Sequence, residues 1–224
     1  MIKKITLILG IVLVIGGGAI FASSSSNTSE EQKIFTSDKI TNLQSISLEG
    51  NFDINVTTSD SNDIKCKFIK TRKGYMNGSS KLNSSIENNI LTITTNAPKD
   101  AICIGGSETL KLDIDIPKRY KNKLFIKSKL NKINILNSNS KNIQCNTQDS
   151  NIKISLDNIC GDIAVKSNLG NIDLELPKDQ KFNLSANSHL GKITNKLASN
   201  VDSSLKEKVI NLSSSSGNIT ISQN

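Results

Sequence analysis

The chain has 224 residues, 28 Lys and Arg against 20 Asp and Glu, a net charge of +8, one His and no Trp. Its 32 Ile favour strands, and its abundant Ser and Asn favour turns, so the scarcity of helix formers excludes a helical bundle. β-Branched residues recur throughout, which excludes a disordered chain, and the single His leaves a His-based metal site or catalytic centre almost nothing to work with.

Residues 1–22 read as a signal anchor or signal peptide. Lys3 and Lys4 precede an uncharged, mostly apolar run from Ile5 to Ala22. Eighteen residues make a helix of about 27 Å, close to the bilayer core. The expected location is the cell membrane, single-pass, with the remainder exported; secretion after cleavage is the alternative. Residues 23–44 are rich in Ser and Thr and have little periodicity, so a linker is expected there.

Residues 45–224 read as one exported domain. Ile46–Leu48, Phe52–Val56, Ile64–Ile69, Ile90–Ile93 and Leu110–Ile116 have strand character. Lys70–Asn83 and Asn96–Ser107 read as longer loops. Four cysteines, Cys66, Cys103, Cys145 and Cys160, form no CxxC motif. Burial as free thiols and disulfide pairing both remain open in an exported chain.

A repeat follows. Ile133, Ile152, Ile172, Ile193 and Ile219 are separated by 19, 20, 21 and 26 residues, each opening a short alternating strand after a Ser/Asn/Gly corner. Ile143, Ile163 and Phe182 form a second series half a period away. Such a period predicts a β-solenoid with coils of about 20 residues, its isoleucines stacked in interior columns; an antiparallel sandwich is the competing arrangement. Gly161, Gly170, Gly191 and Gly217 each stand two residues before an Ile, where a tight corner calls for positive φ. The long last interval implies an insertion around Leu197–Lys208, with one helical turn at Asp202–Lys208.

The segments Asn88–Ile93 and Leu112–Pro117, followed by Ser-x-x-Gly-Asx-Ile units, resemble the bacterial putative-adhesin domain family of membrane-anchored cell-envelope proteins. The resemblance covers residues 45–222. It implies an extracytoplasmic single-stranded right-handed β-helix and supplies no catalytic residues.

No nucleophile motif appears. His189 reads as a surface residue, and the pairs Asp113/Asp115 and Asp173/Glu175 read as charged outer positions of exposed strands. No metal or cofactor is expected. Between Ile116 and Gln148 lie eight basic residues and no acid: Lys118, Arg119, Lys121, Lys123, Lys127, Lys129, Lys132 and Lys141. These are the candidate polyanion-binding residues, for anionic cell-wall polymer or lipid headgroups. Envelope proteins are alternative partners; nucleic acid is not expected for an exported domain. The expected function is non-enzymatic: adhesion, wall interaction or envelope-stress signalling. A polysaccharide-active enzyme on a β-helix and a polymer-forming scaffold are the alternatives.

Overall fold

The computed structural model describes residues 26–96, 103–197 and 201–224. The apolar run of residues 1–22 lies outside them. Among the described residues the fold is all-β, and no helix is long and apolar enough to cross a membrane. The first strands are β1 (Ser26–Phe35), β2 (Ser45–Glu49), β3 (Asp53–Ser59), β4 (Ile64–Met76), β5 (Lys81–Glu87), β6 (Ile90–Asn96) and β7 (Cys103–Pro117). Two long strands follow, β8 (Lys123–Leu136) and β9 (Asn142–Ser155). The last are β10 (Asp162–Ser167), β11 (Ile172–Leu176), β12 (Asn183–Ser188), β13 (Ile193–Asn195), β14 (Val209–Ser214) and β15 (Ile219–Gln223). The one helix among the described residues, α1 (Ser37–Ile40), is a single turn.

Strands β8 and β9 each run through two faces of the molecule. Their first halves join the order β5-β6-β2-β8-β9-β10-β14-β12; their second halves join β1-β4-β7-β3-β8-β9-β11-β15-β13. We call these the first and second faces. Pairing is parallel from β6 to β12 and from β7 to β13, and antiparallel only where β5, β4 and β1 are added. Alternate side chains from both faces enter one continuous apolar core.

The isoleucine series is realised as a ladder. Ile54 pairs with Ile133, Ile133 with Ile152, Ile152 with Ile172, Ile172 with Ile219, and Ile219 with Ile193. The side chains of 133, 152, 172 and 219 are buried, whereas Ile193 closes the ladder and is 40% exposed. Spatial order therefore departs from chain order. The last two strands slip between β10 and β12 and between β11 and β13. The segment expected as a side bulge carries the chain back one layer; its described residues from Val201 onward hold a turn bond, Leu205 N to Asp202 O, and no helix.

The second series needs one correction. Ile143 pairs with Ile163, but the ladder continues through Ile210 and Leu184. Phe182 is buried two positions earlier. A slip of two residues keeps the same side chains facing inward, so alternation alone could not exclude it.

The corner glycines are also explained differently from the expectation. None of Gly161, Gly170, Gly191 and Gly217 has positive φ; among the corner positions of the ladder only Asn131 does, at 139°. A Cβ on Gly170 would run into the carbonyl oxygen of Ser150, and one on Gly217 into that of Gly170. Glycine is required by the close approach of stacked backbones. Buried hydroxyls complete the corner. Ser214 Oγ accepts from Gly217 N at 2.8 Å and donates to Gly170 O at 3.4 Å. Ser167 and Ser188 repeat the arrangement with Gly170 and Gly191. Outside them runs an amide ladder: Asn151 Oδ1 accepts from Asn171 N, and Asn171 Oδ1 from Asn218 N.

Three segments read as irregular are strands. Residues 26–35, within the expected linker, form β1, an outer strand held by main-chain pairing to β4 and by an ion pair between Glu30 and Lys67. Much of Lys70–Asn83 and Asn96–Ser107 belongs to β4, β5 and β7. These extensions have few buried apolar side chains, which is why hydrophobic alternation did not reveal them.

Candidate functional site

The eight basic residues lie on one strip of chain but on three sides of the fold. Lys118, Arg119, Lys121 and Lys141 belong to the side formed by the loops between layers, opposite the Ser/Gly corner. There Lys141 N donates to Lys121 O at 2.9 Å, which stacks these two lysines in successive layers. Lys123 opens β8 beside them, across from Asn142. Lys127 and Lys129 point outward from the first face near the corner, and Lys127 is in register with Glu49. Lys132 lies past the corner on the second face, where its backbone N–H meets Asp53 Oδ1 at 2.9 Å.

The loop that presents Arg119 and Lys121 is fixed by buried neighbours. Tyr120 is buried and donates its hydroxyl to Lys123 O at 2.6 Å; burial pushes its ionisation up. Asn122 donates to Leu43 O at 2.6 Å. Beside them lies a hollow of about 200 Å³, floored by Ile40, Leu43 and Pro117 and edged by Arg119, Lys121 and Asn122. Arg119 donates to Asn62 O, and Lys118 is 3.0 Å from Asp60, an exposed pair of little energetic weight. The arrangement is a hollow with apolar side chains at its base and exposed cations at its rim.

A second hollow of about 370 Å³ lies on the second face, over β1, β4, β7 and β3. Asp113 and Asp115 line it, and both are engaged. Asp113 accepts from Asn55 at 2.7 Å and pairs with Lys111; Asp115 accepts from Ser59 and Thr57. Glu175 pairs with Lys153 at 2.8 Å, and that ammonium holds its carboxyl below the usual range. His189 is exposed at the corner. Among the described residues no group of three or more His, Cys, Asp or Glu is placed to hold a metal. Cys66, Cys145 and Cys160 are free thiols; burial raises the first two to about 12. The anchoring role of Asn122 leaves no local signal in the sequence, because its partner, Leu43 O, lies on another loop.

No known family model matches the sequence, and no curated protein matches it. Solved structures do. A "putative cell adhesion protein" from Clostridium sporogenes superposes with a TM-score of 0.66 at 13% identity, covering 88% of this chain and all (100%) of that one. A "putative adhesin" from Bacteroides fragilis gives a TM-score of 0.34 at 10% identity over 90% of this chain and 98% of that one. The first of these shows a shared fold.

Proposed function

We propose that this chain is a non-enzymatic envelope protein, tethered by its apolar N-terminal run, whose exported domain is a β-solenoid that contacts anionic cell-wall polymer. Layers about 20 residues long, stacked in parallel register through Ile133, Ile152 and Ile172, support the solenoid reading. The observation that carries the function is the loop side, where Arg119 and Lys121 edge one hollow and Lys123 and Lys141 are exposed beside them. The shared fold with a protein named for cell adhesion accords with it. Phosphate groups along a wall polymer would meet these cations in succession, and the apolar floor would take the linking carbons.

Co-sedimentation of the protein with teichoic-acid-bearing walls tests the reading. Binding should weaken steeply as the Debye length falls from about 10 Å at 0.1 M salt to about 3 Å at 1 M. Changing Arg119, Lys121, Lys123 and Lys141 together to Gln should remove most of it while leaving the fold intact. Equal sedimentation of wild type and variant would reduce the patch to a solvated surface.

A further inference from the structure

The most exposed leucines among the described residues share one edge. Leu130, Leu169 and Leu190 are 53%, 58% and 75% exposed. Each is the residue just before the corner position of its layer, ahead of Asn131, Gly170 and Gly191. Leu130 pairs with Asp149, Leu169 N donates to Gln148 O, Ser216 N to Asn168 O, and Leu190 N to Ser215 O. The edge therefore reads, layer by layer, Leu130, Asp149, Leu169, Ser216, Leu190. Leucines occupy alternate layers, about 10 Å apart at two strand spacings. Nothing in the core requires them, because the residue before the corner points away from it, and Asp149 and Ser216 fill the same place.

Cations flank this edge. Lys129 and Lys132 sit either side of the corner at Leu130, and Lys192 follows Leu190 by two positions, all exposed. Two copies meeting edge to edge would bring these lysines together, which disfavours a self-contact. A projecting aliphatic row bordered by ammonium groups suits the interface of an anionic bilayer. The course of the chain agrees. Glu30 pairs with Ile69, Ile69 with Lys111, Lys111 with Asp53, and Asp53 caps Lys132 just past the corner. Ser26, four residues before Glu30, thus lies at the corner end of β1, and the apolar run ends at Ala22, four residues before that.

We propose that the Leu130–Leu169–Leu190 edge is a membrane-contact ridge: its leucines enter the acyl boundary of an anionic bilayer while Lys129, Lys132 and Lys192 meet the headgroups. This rests in part on the tethered reading above. It lays the domain along the membrane and turns the loop side, with Arg119 and Lys121, outward.

Because the wild-type chain has no Trp, one introduced Trp reports its own site. The full chain, as Leu169→Trp or Leu190→Trp, is reconstituted with phosphatidylglycerol-containing or purely phosphatidylcholine vesicles carrying brominated acyl chains. Leu136→Trp, at the far end of β8 on another exposed leucine, is the control. Emission from both ridge variants should blue-shift and be quenched in the anionic vesicles, and the control should remain unquenched. Adding Lys129→Gln, Lys132→Gln and Lys192→Gln should shift the docked-to-undocked ratio about fivefold per charge removed. Vesicle retention after alkaline carbonate extraction reads the tether separately. A retained chain with unquenched ridge variants overturns the ridge alone. An extracted chain with quenched ridge variants overturns the tether and supports the ridge. An extracted, unquenched chain overturns both.

Discussion

Ile219 lies directly beside Ile172 in a parallel ladder, although Ile193 comes between them in the chain. The final strand pair fills a gap between layers already laid down, and Ile193 is left at the end of the stack. Burial along the ladder is therefore not graded by chain position.

That order has a direct consequence for stability. Ile172→Ala removes a fully buried side chain with neighbours on both sides and should cost about 2–5 kcal/mol. Ile193→Ala, at a half-open end, should cost well under half as much. Urea denaturation of the two variants checks this. Equal losses would mean that Ile193 is covered in solution.

Gly170→Ala tests the close-approach explanation of the corners. The added methyl meets Ser150 O, a backbone atom that cannot swing away, so a loss of roughly 1–3 kcal/mol or more is expected. Gly105 has positive φ, 61°, but open space around it, and Gly105→Ala should cost only about 1 kcal/mol. Melting temperatures in that order support steric stacking; the reverse order would restore the conformational reading.

Ser214→Ala removes a buried hydroxyl that serves two layers at once. Gly217 N would lose its acceptor and Gly170 O a donor, for about 1–3 kcal/mol. Ser213→Ala, exposed on the neighbouring position, should change stability by less than about 0.5 kcal/mol. Chemical denaturation of the pair gives the comparison.

The thiols predict a pH dependence. Cys66 and Cys145 are buried, and desolvation raises both from 9.0 to about 12. Below pH 9 both states carry neutral thiols and the contribution is complete. Between pH 9 and about 12 the unfolded chain ionises while the folded chain does not, so stability falls across that window. Replacing both residues with Ala should flatten the alkaline limb of a stability profile. In the native protein iodoacetamide should label Cys160 ahead of Cys66 and Cys145, with mass spectrometry as the readout.

By itself the amino-acid sequence determined the strand class, the offset of about 20 residues between neighbouring parallel strands, and the inward faces of Ile133, Ile152 and Ile172. Each follows from local alternation and spacing, which act through the covalent chain. It also marked Gly217 as a recurrent corner, but the positive φ expected there is absent. Only the tertiary structure decided that the reason for glycine is a carbonyl of the neighbouring layer, because that contact joins residues far apart in the chain. Tertiary structure alone also placed Ile219 between Ile172 and Ile193: parallel ladders accept any inward isoleucine, and the choice depends on which insertion leaves no gap in the core. The basic run was legible as charge, yet its division among three sides followed from the loops that precede β8 and β9 and from the turn within β8 at Asn131. The leucine ridge likewise needed the stack, since Leu130, Leu169 and Leu190 become neighbours only when successive layers bring their corners into line.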